Sequence, residues 1–205
     1  MKIYQTFFFS RPTLIVARQL LGAFVVKRAG GREYWGRVVE TEAYVGTKDK
    51  ASHAHKGQTK RNAVMFGPPG YSYVYLVYGM HHLLNIVTGP PGYPAAVLIR
   101  ACEPAFTERP SPARTYRFGT GGLAAITNAP RLASGPGKVG EYLRLTKKQN
   151  GLDVTAGRTL WFEKGYRLAG ETIVRRPRIG VDYAQEYKDK LWRFYLKNNP
   201  CVSKL

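Results

Sequence analysis

The strongest constraint on how this chain can fold is a series of Val- and aromatic-rich runs separated by Gly-containing turns, with little helical periodicity between them. Ala23 to Arg28 and Glu33 to Tyr44 flank Ala29-Gly30-Gly31 and read as one β-hairpin; Tyr71 to Tyr78 and Leu83 to Thr88 read as a second, with Tyr78-Gly79-Met80-His81 at or near its tip. Ala95 to Cys102 is a further apolar run that should pair beside the second hairpin. Strands without a repeated βαβ rhythm favour an α+β fold built on a curved, largely antiparallel β-sheet with flanking helices.

Two helices are expected on that sheet. In the first, Ser10 can cap, Pro12 suits the first turn, Leu14, Ala17 and Leu21 recur at helical spacing, and Gly22 ends it. In the second, Ser134 of Ser134-Gly135-Pro136-Gly137 can cap, Pro136 suits the first turn, and Val139, Tyr142 and Leu143 form the apolar stripe. Short strands are expected around Leu160 to Phe162, Ile173 to Arg175 and Trp192 to Leu196, whereas 103–132 reads as irregular or partly helical. The segment 46–70 is long, polar and basic, a kind of loop that is either functional or disordered. With 205 residues, 44% of them hydrophobic, and no internal repeat, residues 1–205 are expected to form a single domain around one core.

A formal net charge of +19 would repel itself without a polyanionic partner, so nucleic acid is the leading candidate. The apolar patch of the first ten residues is too short for a signal-peptide core, and no other segment is long enough to span a membrane. A soluble, cytoplasmic or nucleoid-associated protein is expected, working as a monomer without contact to a membrane. Cys102 and Cys201 have no CxxC partner, which argues against a disulfide scaffold or a cysteine-built zinc site. His53, His55, His81 and His82 lack a matching cysteine or carboxylate ladder, so no metal and no other cofactor is expected.

Strand parity places Glu40, Glu42 and Tyr44 on one face. Paired carboxylates suit glycosidic chemistry, in which one acid activates water. They would equally suit a solvated sheet face, and parity does not choose between Glu40 and Glu42. Tyr71, Tyr73 and Tyr75 share a face as core packing or as a stacking platform, with Tyr78 on the opposite one. Arg100 interrupts an apolar run and must find an anion, either internally at Glu40 or Glu103 or on a nucleic-acid phosphate. Gly135-Pro136-Gly137-Lys138 is a plain helix start or a place where amides and Lys138 meet a phosphate.

The strings GRVVETEAYVG, ASHAHKGQTKRNAVMF, YVYLVYGMHHLLNIV, VLIRACEP, LASGPGK and LWRFYL, in this order, resemble the alkyladenine (3-methyladenine) DNA glycosylase family across nearly the whole chain. The resemblance implies a monofunctional base-excision-repair enzyme. Such an enzyme flips an alkylated or deaminated purine (3-methyladenine, 7-methylguanine, hypoxanthine or ethenoadenine) out of duplex DNA and hydrolyses its N-glycosidic bond without cutting the strand.

It further implies that Glu42 is the catalytic acid that activates water, with Glu40 structural. Tyr44, His53 and Tyr75 would sandwich the base, Asn85 would crowd guanine's exocyclic amine, and Arg100 would hold the DNA backbone and water near the flipped sugar. Tyr78 would be the DNA-intercalating wedge on a protruding β-hairpin. Contacts that depend on a long N-terminal tail are not expected, because the family motifs begin almost at once. Two other classes stay open: a non-catalytic nucleic-acid-binding protein, and an RNA-binding or formyltransferase-like accessory domain.

Overall fold

A computed structural model describes residues 4–105 and 131–204. Among them, eight strands form one antiparallel sheet: β1 (Phe24–Ala29), β2 (Arg32–Val45), β3 (Ser72–Val77), β4 (His81–Val87), β5 (Ala95–Ala105), β6 (Leu160–Glu163), β7 (Ile173–Arg176) and β8 (Arg193–Leu196). The main path runs β3-β4-β5-β2-β1-β6, and β8 bridges β2 to β7. Both expected hairpins form, as β1–β2 and β3–β4. The third run extends three residues beyond Cys102, so the irregular reading of 103–132 is corrected at its start; residues 106–130 of that stretch lie outside those described.

The 14-residue β2 is the spine of the sheet. Its first half pairs with β1 and its second with β8, while β5 runs along the other edge. The exchange of neighbours coincides with a register shift against β5 between Val38 and Thr41, and such bulges bend a strand and re-aim its side chains.

The helices pack on this sheet. A four-residue α1 (Thr6–Phe9), too short to leave a periodic trace, buries Phe8 and Phe9. The expected first helix is α2 (Thr13–Gln19), but Pro12 occupies its N-cap and Ser10 instead ends α1, donating its Oγ hydrogen to the Phe7 carbonyl at 3.0 Å. Gly22 lies beyond the helix end with φ of +88°, and its N–H donates to the Val38 carbonyl at 2.8 Å. The other expected helix is α3 (Pro136–Tyr142), with Gly135, not Ser134, at its N-cap. Phe9, Val16 and Leu20 from the helical layer join Val38, Leu84, Ile99, Val139, Leu143 and Phe194 in the main core.

Thr41 shows how the sheet separates two environments. Its hydroxyl donates to the Ala17 carbonyl of α2 at 2.9 Å, so the neighbouring residues 40 and 42 project away from α2. No helix among the described residues is long and apolar enough to cross a membrane.

Candidate active site

Glu40 and Glu42 are both fully buried, which overturns the solvated-face reading of the pair. Burial of a carboxylate demands partners, and the two residues have different ones. The Glu40 carboxylate accepts from Arg193 NH1 at 2.8 Å and from the Ser203 backbone N–H at 2.8 Å, an arrangement that ties β2 to the far end of the described chain. Glu42 Oε1 accepts from the Ile179 N–H at 2.8 Å, and Oε2 from the Tyr44 hydroxyl at 3.0 Å. Arg100 lies between the acids, its Nε 3.4 Å from Glu40 and its NH1 3.5 Å from Glu42, while Nε also donates to Ser203 Oγ at 3.1 Å. Of the two internal partners expected for Arg100, Glu40 is present. Glu103 serves Arg37 instead, which donates to it from Nε at 2.8 Å.

Burial raises the Glu42 carboxyl above its ordinary range; Arg100, the Ile179 amide and the Tyr44 hydroxyl pull the other way and only partly offset it. Among the described residues, Glu42 is fully buried and is not one of those lining the neighbouring cavity. Its partners Tyr44, Arg100 and Ile179 all line one cavity of about 640 Å³, so the carboxylate lies directly behind that wall.

One part of the cavity wall is an aromatic cluster. His53, Tyr73 and Tyr75 form a cluster: His53 Nδ1 is 2.9 Å from the Tyr73 hydroxyl, the His53 and Tyr75 rings meet edge-on at 4.5 Å, and the two tyrosine rings are 5.1 Å apart. Burial and the nearby Arg61 hold the His53 imidazole below its ordinary pKa, which keeps it neutral at physiological pH. Burial pushes the Tyr73 phenol up to about 12 and the Tyr75 phenol higher, so both stay protonated. Asn85 also lines the cavity; it is buried, opposite Tyr73 in the β3–β4 ladder, and donates to the Tyr73 carbonyl at 3.2 Å.

The polar loop 46–70 is built around side-chain bonds to its backbone: Asn62 Nδ2 donates to the His53 and Gly57 carbonyls at 2.9 and 3.0 Å, presenting His53 to the cavity.

Tyr78 lies in the turn joining β3 to β4, 89% exposed, with a left-handed φ of +52°, and it lines the mouth of the same cavity. Leu76 and Met80 are also exposed beside it. At the turn end of this hairpin, where His81 pairs with Val77, His81 Nδ1 is 3.0 Å from Glu141 of α3. α3 sits so close to β4 that a Cβ added at Gly140 would lie 1.9 Å from the His82 carbonyl oxygen. Lys138 is exposed on α3, whose first residue, Pro136, lines the cavity. Among the described residues, no group of three or more His, Cys, Asp or Glu could hold a metal ion, and both cysteines are free and buried.

The structure thus brings Tyr44, His53, Tyr75, Tyr78, Asn85 and Arg100 to one cavity, with Glu42 behind its wall and Lys138 outside its lining. Sequence reasoning missed Arg61, Ile179, Val181 and Tyr183, which also line it. The latter three belong to 177–187, a stretch of turn and 3₁₀ structure with no periodicity to read. A larger cavity of about 790 Å³ lies beside α1 and α2; the described residues lining it include Arg11, Arg18, Lys164 and Arg167 and no carboxylate.

The sequence model of the family described as Methylpurine-DNA glycosylase (MPG) matches residues 7–200. A protein of Methanocella arvoryzae is 49% identical over 203 residues, covering 96% of this chain and 94% of its own. Proteins of Legionella pneumophila (strain Lens) and Carboxydothermus hydrogenoformans are 42% and 46% identical over 197 residues, each covering 96% of both chains. All three carry the name "Putative 3-methyladenine DNA glycosylase". Likeness of this extent shows the family: the chain belongs to the methylpurine-DNA glycosylases, hydrolases that act on DNA as N-glycosylases in the repair of alkylated bases.

Proposed function

We propose that the protein flips alkylated or deaminated purines (the 3-methyladenine, 7-methylguanine, hypoxanthine and ethenoadenine class) out of duplex DNA. It then hydrolyses the N-glycosidic bond with water activated by Glu42, leaving the strand intact. The observation that carries this reading is the environment of Glu42: a fully buried carboxylate, held by two hydrogen bonds with Arg100 3.5 Å away, whose partners line a cavity that holds the His53, Tyr73 and Tyr75 cluster.

The everted base occupies the slot between Tyr44, His53 and Tyr75. Its electron-rich rings carry no charge of their own, which suits a purine made cationic by alkylation. Such a base is also a good leaving group and needs little protonation. Bond breaking develops positive charge on the sugar, and the Glu42 carboxylate both stabilises that oxocarbenium-like state and takes the proton of the attacking water. Arg100 favours the ionised form of Glu42 against the effect of burial and presents its remaining N–H groups to the sugar-phosphate and water. Asn85 crowds an exocyclic amine at the purine 2-position, disfavouring normal guanine. No Schiff base with a lysine is required, so no strand cleavage follows.

Tyr78 is the wedge of a hairpin that protrudes into the minor groove, filling the gap that the everted nucleotide leaves. An exposed tyrosine held at positive φ costs backbone energy and adds nothing to the core, which is accounted for if its partner is the DNA stack. Lys138 meets a backbone phosphate beside it. The protein works as a monomer, since one copy supplies every group named.

The decisive measurement is release of free base from defined duplexes, each carrying one lesion. Wild type releases 3-methyladenine, and Glu42→Gln binds the same duplex but loses about 10²-fold or more in rate. Equal release by the two proteins would remove Glu42 from the chemistry.

A further inference from the structure

Arg178 and Asp49 form the most deeply buried ion pair among the described residues, with both side chains fully shielded. The contact is a two-pronged fork: NH1 to Asp49 Oδ2 at 2.6 Å and NH2 to Oδ1 at 2.8 Å. The same guanidinium donates to the Ala43 carbonyl at 2.9 Å and the Tyr187 carbonyl at 3.2 Å, and it lies over the Tyr44 ring at 4.8 Å. Asp49 is equally occupied, its oxygens accepting from the Val45 and Ala51 N–H groups at 3.1 Å each.

The pair therefore joins three segments at one point: the end of β2 that carries Glu42 and Tyr44, the start of the loop that carries His53, and the stretch 178–181. Residue 179, next to the arginine, supplies the amide bound to Glu42. Ile179, Gly180 and Val181 form one wall of the cavity, and Ala51 and His53 belong to another.

Stability alone does not account for the pair, because a buried ion pair is commonly no better than apolar residues of similar volume. Position does. We infer that Asp49 and Arg178 are positioning residues for the reaction: together they hold the Ile179 amide on Glu42 and fix the spacing of the walls that grip the base. This rests on the reading of Glu42 as the water-activating base.

The expected trace is in the pH profile. The charged and titratable groups facing Glu42 are Glu40 and Tyr44 on its own strand, Arg100 from β5, Tyr75 from β3, and Arg193 of β8 acting through Glu40. With those unchanged, a slackened 178–181 segment withdraws a hydrogen bond that favours the ionised carboxylate. Glu42 then holds its proton to higher pH, and the acid limb of the reaction moves upward.

The test is single-turnover release of 3-methyladenine across about pH 5 to 8, alongside affinity for a duplex with an uncleavable abasic analogue. Asp49→Leu combined with Arg178→Met removes both charges together and so avoids stranding one of them in the interior. Its rate is expected to fall about tenfold at pH 6 and to recover toward pH 8, with abasic-duplex affinity within about threefold of wild type.

Arg178→Lys keeps the charge but cannot bond Asp49 and both carbonyls at once, and its acid limb should lie between the other two. Unaltered profiles in both variants, or a loss of equal size at every pH, would overturn the inference. Glu42→Gln separates the two levels: if it releases base normally, the reading of Glu42 itself fails; if it is inert while the pair's variants keep the wild-type profile, only the role of Asp49 and Arg178 fails.

Discussion

Glu42 is held where burial works against its charge. A carboxyl whose folded pKa is raised binds more protons in the native state than in the unfolded one over the interval between the two values. The sign follows: this residue favours folding most at low pH, and its contribution falls as pH rises from the ordinary carboxylate value through the raised one. Glu42→Gln mimics the protonated acid and can still accept the Ile179 hydrogen bond. The substituted protein should therefore melt above wild type at pH 8, with the difference shrinking toward pH 5, as followed by thermal denaturation. A Gln variant that melts below wild type at pH 8 would contradict the direction of the shift. Loss of activity together with a gain in stability is the pattern of a group kept for its chemistry.

At the scale of elements, the contact of α3 with β4 is the tightest helix–sheet approach around the site. Gly140 faces the His82 carbonyl, and no side chain fits between them. Gly140→Ala should push α3 off the turn end of the hairpin, costing about 1–3 kcal/mol, read in urea unfolding, and should loosen the His81–Glu141 contact beside Tyr78. An unchanged unfolding midpoint would show that the helix can shift without cost.

This scale also explains what could be read from the sequence. β1 to β5 alternate or run apolar between Gly turns, and each was recognisable. α1 has a single turn and no period, and Ser10 proved a poor guide because Pro12 already supplies the extended residue ahead of α2. In the site, Tyr44, His53 and Asn85 sit in contiguous strings. Ile179, Asp49 and Arg178 act through one backbone amide and one buried fork, which leave no local pattern. Parity put Glu40 and Glu42 on one face but could not assign their partners, which come from more than 130 positions away in Ile179 and more than 150 in Arg193.

For the whole molecule, a net charge of +19 means that binding is dominated by phosphate neutralisation. Affinity for undamaged duplex should drop steeply with salt, with Lys138→Ala lowering the slope of log K against log salt by about 1. A slope identical to wild type would place Lys138 outside the footprint. If base release takes place in the cavity proposed above, whose lining is chiefly uncharged, that step should respond far less to salt once the complex has formed.

The tie between Glu40 and the stretch 193–203 has a consequence for when the protein can work. Arg193 and the Ser203 amide engage Glu40, and Ser203 Oγ steadies Arg100, so the buried acids gain their full set of partners only after the last part of the sheet has folded back. A nascent or nicked copy lacking that stretch leaves Glu40 without its Arg193 and Ser203 partners and Arg100 without Ser203. The partners of this buried acid are therefore assembled late, by the closing of the sheet's last strand.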